Sequence, residues 1–358
     1  MSKLSINLIV YSSTESVYIP HLFASLKKQT FQDWEMLVID NGSDGDVLRL
    51  VEDNLKALNK PYHVLKQGVN VGFAAGHNVG YRETVAPYVL LQNPDMYLMP
   101  DALEKMVNFL DQHHDVSTVS ARLMRWDFEA KQFTSDIDAI GIKLLRNRRA
   151  VEWLTRERWA KDSESKDVRD MYDKKLVEVF GVSGAFAMYR KSAIDKLSLP
   201  DFAKATQGKP GNNMFDPTYH SYKEDLDLAY RLRNAGYTSY ILLDAVAYHD
   251  RTGAGPKTLG DFAAAKNKRS QSKYVRFHSY KNHLRTLYKN EYWQNFLLDS
   301  PFILWFEFKK FVYLLLTSPV ILFKCWWEII KNFKYTREAK KTIHASRKMY
   351  WRGLRRWF

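Results

Sequence analysis

The sequence predicts an α/β fold in which a mixed, mainly parallel sheet is flanked by helices and followed by an amphipathic helical tail. Short apolar runs alternate with helical patterns over the first 112 residues, which is typical of a parallel sheet covered by helices. A chain of 358 residues with 46% hydrophobic content can bury a core of this size. The excess positive charge is confined to the C-terminal third, which sets the tail apart from the rest.

The predicted elements alternate along the chain. Strands are predicted at 6–11, 35–40, 62–66, 88–92, 177–189 and 239–249. Helices are predicted at 17–29, 46–57, 75–84, 101–112 and 223–236, the last with an acidic first turn and a glycine stop. Residues 125–175 are mixed and heavily charged, and we expect them to form a connecting region over the sheet.

Charge and cysteine content limit the partners and the compartment. Residues 257–358 contain 22 Lys and Arg against 6 Asp and Glu, so this tail carries +16 and the first 256 residues carry −2. We therefore expect an anionic partner for the tail. Cys325 is the single cysteine, which excludes an internal disulfide, and the N-terminal residues lack an apolar signal core. Both features predict the reducing cytosol.

Polar side chains follow the strand that is predicted to end at residue 40. Asp40 can accept hydrogen bonds from a base or ribose, and the turn that begins at Asn41 leaves room for one. Ligands of such sheets bind beyond the carboxyl ends of the strands. An ordinary Asx turn is the alternative explanation.

The glycine-rich segment 70–80, NVGFAAGHNVG, leads into a predicted helix. This segment, which includes Gly72 and Asn78, is suited to bring backbone N–H groups near phosphate or ribose oxygens. It is not a Walker loop, because no Gly-Lys-Ser/Thr follows, and its spacing does not match the dinucleotide fingerprint.

Asn93-Pro94-Asp95 follows an apolar strand and places a carboxylate where a diphosphate would lie. Mg²⁺ or Mn²⁺ is usually held by one or two carboxylates plus substrate phosphates, so Asp95 alone can suffice. His249, at the end of the last predicted strand, can add an imidazole nitrogen. A turn before the next helix and a structural histidine are the alternatives.

Glu224 and Asp225 lie at the start of the helix predicted at 223–236 and supply a candidate general base. The alternative is the ordinary preference of acidic residues for a helix N-terminus. Small residues within 177–189, among them Gly184, leave two explanations open. Either a ligand or acceptor approaches the backbone closely, or the strand contains a β-bulge.

Taken together and in order, these segments resemble glycosyltransferase family 2, the inverting enzymes of the GT-A fold. The resemblance spans roughly residues 5–250 and lies in NLIVYSSTESVYIPHLFASLKKQTFQDWEMLVIDNGS, NVGFAAGHNVG, LLQNPD, VFGVSGAFAMYRKSAI, YKEDLDLAYRLRNAGY and AVAYH. The rhamnosyltransferase-like branch is similar in its Asn-Pro-Asp metal motif and in a segment like YKNHLRTLYKN at 280–290. Two features depart from the family: VYSSTES lacks an Asn that relatives often have, and the Gln-x-x-Arg-Trp signature of processive synthases is absent.

The resemblance implies a GT-A catalytic domain at 1–256, with a nucleotide-sugar half at about 1–112 and an acceptor half at about 113–256. It implies a nucleotide-diphosphate sugar donor, a glycan or lipid-linked acceptor, and Mg²⁺ or Mn²⁺. The implied donor-site residues are Tyr11, Asp40, Asn41, Gly72, Asn78, Asn93, Asp95 and Gly184. Asp225, with Glu224 beside it, would be the base, and Asp95 and His249 would bind the metal.

The implied activity is metal-dependent, inverting transfer of a sugar in cell-surface polysaccharide synthesis. The missing processive signature favours addition of a single sugar. Rhamnose from dTDP-rhamnose follows from the family likeness, and UDP or GDP sugars stay open.

The tail, 257–358, is predicted to lie on a membrane without crossing it. Its longest charge-free stretch in the aromatic region 301–333 is 311–323, which has 13 residues and contains Pro319. A spanning helix needs about 20 apolar residues. Apolar faces flanked by Lys and Arg suit helices in the interface of an anionic leaflet, here the inner face of the cell membrane. The alternative is a tail that packs against the catalytic domain or a second subunit, as in a homo-oligomer.

Two other classes of function are open. A basic tail with interleaved aromatic residues can bind nucleic acid, although we find no RNA or DNA module and expect no such partner. The chain can also be a non-catalytic scaffold in a synthase complex, but the joint presence of Asp95, Glu224 and Asp225 argues against decay.

Overall fold

The computed structural model describes residues 2–201, 212–251 and 271–358. The boundary predicted between residues 256 and 257 lies outside these ranges. In the described residues, none of the helices combines the length and the apolar composition required to cross a bilayer.

Ten of the strands form one mixed sheet. The strands are β1 (Leu4–Val10), β2 (Trp34–Asp40), β3 (Tyr62–Lys66), β4 (Tyr88–Gln92), β5 (Met96–Leu98), β6 (Val116–Asp127), β7 (Gln132–Ala139), β8 (Ile142–Leu144), β9 (Ala150–Glu152), β10 (Leu176–Glu178), β11 (Phe186–Arg190) and β12 (Thr238–His249). The order across the sheet is β10-β12-β6-β11-β4-β1-β2-β3, with β5 beside β12 and β7 beside β6. β8 and β9 pair separately.

Helices cover both faces of the sheet and make up the C-terminal part of the chain. They are α1 (Ile19–Lys27), α2 (Gly45–Ala57), α3 (Phe73–Glu83), α4 (Ala102–Gln112), α5 (Lys166–Met171), α6 (Lys191–Asp195), α7 (Glu224–Asn234), α8 (Lys273–Asn290), α9 (Trp293–Thr317), α10 (Pro319–Lys331), α11 (Phe333–Ala345) and α12 (Trp351–Arg355). A short 3₁₀ helix, Ser13–Val17, precedes α1.

The strand directions bring several strand ends to one edge of the sheet. β3, β2, β1 and β4 run parallel. β11 is antiparallel to both of its neighbours, β4 and β6, and β6 is parallel to β12. The C-terminal ends of β1, β2, β4 and β12 therefore meet the N-terminal end of β11. The first half of the sheet is parallel, as predicted, and antiparallel partners enter from β5 onward.

Alternating side chains of the central strands feed two apolar cores. In β4, Leu90 packs with one cluster, which includes side chains of α1, α2 and α4. Val89 and Leu91 point to the opposite face and pack with side chains of α3 and α7. Successive side chains point to opposite faces, and both faces of a central strand are buried, so its sequence is a continuous apolar run.

Two predictions about the middle of the chain were wrong. The continuous strand predicted at 177–189 is divided into β10 and β11, and the residues between them leave the ladder. The region 125–175, expected to be only a connection, contributes the end of β6 and all of β7 to the main sheet and contains the β8–β9 pair.

The C-terminal helices are joined to the sheet domain by α8, which buries charged side chains against it. Lys289 Nζ lies 2.6 Å from an oxygen of Asp216 and 3.0 Å from one of Asp227, and all three side chains are inaccessible to solvent. Burying ions is tolerable only when they are paired, so these contacts fix α8 against α7.

Candidate active site

The carboxylate of Asp40 lies at the C-terminal end of β2 and is 9% exposed. Its Oδ1 accepts hydrogen bonds from the backbone N–H and the hydroxyl of Ser43, at 2.9 and 2.8 Å. The Asx-type turn is therefore present. A carboxylate has two oxygens, so the turn is compatible with a contact to a nucleoside.

Asn41 connects the end of β2 to the glycine-rich segment. Its Nδ2 donates to Asn70 Oδ1 at 3.1 Å and to the Gly72 carbonyl at 3.4 Å, and its Oδ1 accepts from the Val71 N–H at 2.9 Å. Asn41 thus shapes the loop that borders Asp40.

Gly72 permits a close approach between the glycine-rich segment and the loop before α7. Its φ is +87°, and a Cβ added there would lie 2.6 Å from the His220 carbonyl oxygen. The N–H groups of Phe73 and Ala74, which begin α3, donate to Ser221 Oγ and to the His220 carbonyl. The sequence predicted that N–H groups of this segment lie near phosphate or ribose oxygens. The N–H groups of Phe73 and Ala74 instead donate to a loop of the protein.

Asn78 lies in the protein interior and is 1% exposed. Its Nδ2 donates to the Phe215 carbonyl at 3.0 Å, and its Oδ1 accepts from the Phe215 N–H at 2.8 Å. This two-point contact pairs α3 with the segment before α7. We therefore remove Asn78 from the proposed donor site.

Asp95 and His249 meet where β5 and β12 pair. Asp95 precedes β5, His249 ends β12, and the two strands are antiparallel with His249 opposite Met96. The His249 Nε2 lies 3.3 Å from Asp95 Oδ1, and the two side chains are 3% and 25% exposed. The predicted pair of metal ligands is therefore brought together.

Asp138 of β7 supports His249 from behind. The His249 Nδ1 donates to Asp138 Oδ2 at 2.9 Å, and the Asp138 carboxylate is inaccessible to solvent. Burial disfavours the imidazolium, but the Asp95 and Asp138 carboxylates outweigh burial and raise the pKa of His249 to about 9. A donor Nδ1 leaves Nε2 as the nitrogen that faces Asp95, the arrangement of a carboxylate-supported metal histidine.

The spacing of this pair fits a divalent cation. Two adjacent ligands of an octahedral ion with bonds of about 2.1 Å lie about 3.0 Å apart, close to the observed 3.3 Å between Asp95 Oδ1 and His249 Nε2. In the described parts of the chain, no group of three or more His, Cys, Asp or Glu side chains is arranged to hold a metal. The pair therefore fits an ion that takes its other ligands from a substrate.

Asp225 lies in the first turn of α7, beside the strand-end edge. Its Oδ2 accepts from the Gly184 N–H at 3.4 Å, and its Oδ1 accepts from the Leu226 N–H at 2.7 Å. Glu224 is 7% exposed, and burial followed by the charge of Asp225 raises its pKa well above the usual value. Asp225, which is half-buried, is the more accessible of the two carboxylates.

The small residues before β11 serve helix packing and an open site. A Cβ on Gly181 would lie 2.3 Å from the Ala229 Cβ, so α7 can pack here only against glycine. Gly184 faces the Phe73 ring and Asp225, at 3.3 and 3.7 Å from its would-be Cβ. At Gly181 the group that approaches the backbone is a helix, which is neither the ligand nor the β-bulge considered from the sequence.

An ion network that the sequence reasoning missed connects the two halves of the site. Arg251 Nη1 lies 3.1 Å from Glu152, its Nε 3.4 Å from Asp138, and its Nη2 donates to Ser183 Oγ at 3.0 Å. Burial raises the pKa of Glu152. The nearby Arg251 opposes this rise, and the charge of Asp225 adds to it. The network thus runs from behind His249 to Ser183, which precedes Gly184, the residue whose N–H donates to Asp225. Its sequence signal was Asp138 within the apolar run IDAIG, since a buried acid requires a partner.

A strained loop precedes the acidic turn of α7. His220, Tyr222 and Lys223 have φ values of +63°, +68° and +72°. For residues other than glycine this conformation costs about 1–2 kcal/mol each. Asn282 of α8 shares its amide N–H groups among the carbonyls of Tyr219, Ser221 and Tyr222, at 2.9, 3.0 and 2.8 Å.

Tyr11 and Asn93 lie at the same edge as Asp95. Tyr11 is 54% exposed, and partial burial together with the charges of Glu15 and Asp95 raises the pKa of its hydroxyl. The N–H of Asn93 donates to the Ala185 carbonyl at 3.0 Å, next to Gly184. Tyr274 of α8 reaches the same cleft, where its hydroxyl lies 2.6 Å from His220 Nδ1.

Comparison with known proteins agrees with this architecture. The family model "Glycosyl transferase family 2" matches residues 5–198. An uncharacterized glycosyltransferase of Haemophilus influenzae is 26% identical over 155 residues, which are 43% of this chain and 57% of that protein. The poly(ribitol-phosphate) beta-N-acetylglucosaminyltransferase TarS of Staphylococcus aureus is 30% identical over 116 residues, 32% of this chain and 20% of TarS. The matches thus span little more than half, or less, of these relatives.

Among solved structures, GalNAc-T7 with UDP, GalNAc and Mn²⁺ superimposes with a TM-score of 0.55 at 10% identity. The match covers 81% of this chain and 48% of GalNAc-T7. At this identity the likeness shows the fold alone, which is GT-A. Since the family model covers more than half of the chain and its strand-end carboxylates meet at one edge, this protein belongs to glycosyl transferase family 2.

Proposed function

We propose that the protein is an inverting glycosyltransferase that moves one sugar from a nucleotide-diphosphate donor to an acceptor hydroxyl, with Mg²⁺ or Mn²⁺. The observation that carries the proposal is the convergence of Asp95, His249 and Asp225 on one strand-end edge. Asp95 and His249 lie 3.3 Å apart, and Asp225 accepts from the N–H of Gly184, which follows Ser183, a hydrogen-bond partner of Arg251.

In this proposal Asp95 and His249 hold the cation. When bound, the cation would neutralise charge on the departing diphosphate. Asp138 keeps the His249 ring oriented by accepting the Nδ1 proton. Asp40 contacts the nucleoside, and Asn41 and Gly72 shape the loop beside it.

Asp225 acts as the general base. Its carboxylate takes the proton of the acceptor hydroxyl, whose oxygen attacks the anomeric carbon from the face opposite the nucleotide, so the configuration there inverts. The N–H groups of Gly184 and Leu226 orient the carboxylate. Arg251 balances its charge at a distance, since Asp225 contributes to the electrostatic environment of the Arg251 guanidinium.

The finer specificity is also a proposal. Rhamnose from dTDP-rhamnose is the first donor to test, because the Asn-Pro-Asp motif resembles that branch of the family. The named relatives include TarS and a teichoic acid poly(glycerol phosphate) polymerase of Staphylococcus epidermidis, which favours a glycan or lipid-linked acceptor of the cell surface.

The test uses the full chain with dTDP-rhamnose and with UDP and GDP sugars, in Mn²⁺, Mg²⁺ or EDTA. We expect one donor to raise the melting temperature and to release its nucleoside diphosphate only with a divalent cation. NMR of the product should show the inverted anomeric configuration. Absence of donor binding and turnover under all conditions, together with a salt-sensitive RNA shift, would favour the nucleic-acid alternative instead.

A further inference from the structure

The outward faces of α9 and α10 are apolar, which is unusual for helices at a protein surface. Of the 28 exposed large apolar side chains in the described residues, 17 lie between Trp293 and Phe333. Single exposed apolar residues need no explanation, but a contiguous patch of this kind marks an interaction surface.

The helical spacing places the exposed residues of α9 on one stripe. Leu297, Leu304, Phe308, Phe311 and Leu315 recur at intervals of three, four or seven residues, and each is at least 37% exposed. The opposite stripe, which is buried, contains Asn295, Asp299, Ile303, Lys310 and Leu314. The helix therefore turns a polar and mixed stripe inward and an apolar stripe outward.

α10 repeats this inversion. Val320, Phe323, Trp327 and Ile330 are 60–73% exposed, whereas Ile321, Leu322 and Cys325 pack inward with Tyr280 and Leu314. Both helices thus pack inward with Tyr280 of α8 and leave an apolar stripe exposed. We call the outward residues of α9 and α10 the apolar face.

The exposed charged side chains of residues 293–345 are cationic. The acidic residues of 293–345 are buried or half-buried, and each has a partner within the chain. Asp299 pairs with Arg146, Arg148 and Arg355, and Glu307 pairs with His283 and Lys310. Glu328 accepts a hydrogen bond from Asn332, and Glu338 pairs with Lys341. Lys324, Lys331, Lys334 and Arg337 are exposed. The surface that remains is apolar with a cationic border.

We propose that the apolar face of α9 and α10 lies in the interfacial region of an anionic lipid bilayer. Exposed Trp side chains such as Trp305 and Trp327, with lysines beside them, match the boundary between headgroups and acyl chains. A second copy of the chain is a poorer occupant, because a symmetric pairing of this face would bring cationic borders together. The anionic headgroups instead complement Lys324, Lys331, Lys334 and Arg337.

The proposed membrane side is next to the catalytic cleft. Ser318 joins α9 to α10, and its hydroxyl accepts a hydrogen bond from Arg276 Nη1 at 2.9 Å. Arg276 belongs to the first turn of α8, as does Tyr274, whose hydroxyl contacts His220 and Ser221 at the cleft. A bilayer against the apolar face would therefore hold the cleft close to its surface, where a lipid-linked acceptor would be presented.

Flotation of the full chain tests this proposal without reference to activity. Vesicles of phosphatidylcholine, with and without phosphatidylglycerol, are mixed with the wild type and with the double variant Phe323→Glu/Trp327→Glu. We expect the wild type to float with the anionic vesicles. The double variant should lose binding by roughly tenfold or more, because two apolar side chains that would enter the bilayer are replaced by carboxylates, which the anionic headgroups repel. Lys324→Gln/Lys331→Gln should weaken binding to the anionic vesicles alone.

The matched control is Val85→Glu, which places a charge on a residue that is 59% exposed and far from the apolar face in sequence. It should float like the wild type, and circular dichroism should show that all variants are folded. Equal flotation of the wild type and the Glu double variant would overturn the proposal. So would a wild-type dimer, seen by ultracentrifugation without vesicles, that the double variant abolishes while neither protein binds vesicles.

Discussion

The side-chain amide of Asn282 lies 2.8 Å from the carbonyl oxygen of Tyr222, although 60 residues separate them in the chain. The same amide also reaches the carbonyls of Tyr219 and Ser221. A helix that follows the sheet domain thereby holds the loop that positions Glu224 and Asp225. The C-terminal part of the chain is for this reason more than an appended tail, since α8 also supports the site.

Asn282→Ala should impair the proposed catalysis through the loop. Loss of the three contacts removes a side-chain donor that this loop shares among its carbonyls, and we expect a stability loss of about 1–3 kcal/mol. Because the base would be displaced while, in the described residues, Asp40, Asp95 and His249 have no contact with Asn282, kcat should fall roughly tenfold or more and the KM for the donor should change less. The control Asn54→Ala removes a hydrogen bond to Leu50 within α2 and should leave both parameters unchanged.

Asp225→Asn tests the base directly. Removing the proton acceptor should lower kcat by about 10²–10⁴-fold, while the donor still protects the protein against thermal unfolding. Asp53→Asn, an exposed residue of α2, should behave like the wild type. Near-normal turnover in Asp225→Asn would remove this residue from the role.

Asp138→Asn tests the residue behind His249. The variant keeps the shape but weakens the acceptor for the His249 Nδ1 proton, so the affinity for Mn²⁺ should fall by about 10–100-fold. Titration of Mn²⁺ by electron paramagnetic resonance measures this without turnover. The control Asp136→Asn changes a half-buried carboxylate of the same strand. Unchanged Mn²⁺ binding in Asp138→Asn would exclude a supporting role.

Glu15 makes stability depend on pH. Burial, opposed by the N–H groups of Tyr11 and Ser12, raises the pKa of Glu15 from 4.5 to about 7. The folded chain therefore binds this proton more tightly than the unfolded chain, and the contribution is fully present below about pH 4.5 and is lost as pH rises through about 7.

Glu15→Gln should abolish this component. Between about pH 5 and pH 8, the free energy of unfolding of the wild type should fall by roughly 1–3 kcal/mol relative to the variant. Urea unfolding at several pH values measures the difference, and the exposed Glu83→Gln serves as the control. Parallel pH profiles of wild type and Glu15→Gln would refute the prediction.

Lys289→Met should show that α8 is part of the folded domain. The change leaves the carboxylates of Asp216 and Asp227 buried without the cation that lies 2.6 and 3.0 Å away, and we expect a loss of about 3–5 kcal/mol. Lys341→Met removes the ion pair between the exposed Lys341 and the half-buried Glu338 and should change stability by only about 0–1 kcal/mol. Thermal and urea unfolding compare the two, and equal small effects would contradict an integral α8.

The local sequence determined the parallel half of the sheet and the strand-end positions of Asp40, Asp95 and His249. Strand period and strand ends depend on neighbouring residues, so apolar runs with polar terminators reveal them. The position of Asp225 at the start of α7 follows in the same way from its acidic first turn and its glycine stop.

Only the tertiary structure decided which of these side chains meet and what supports them. β6 pairs with both β7 and β12, so that Asp138 contacts a histidine 111 residues away. Asn282 and Lys289 reach the site region by packing of α8 against α7. Such contacts depend on strand order and helix placement, which arise from the packing of distant segments and leave no local pattern in the sequence.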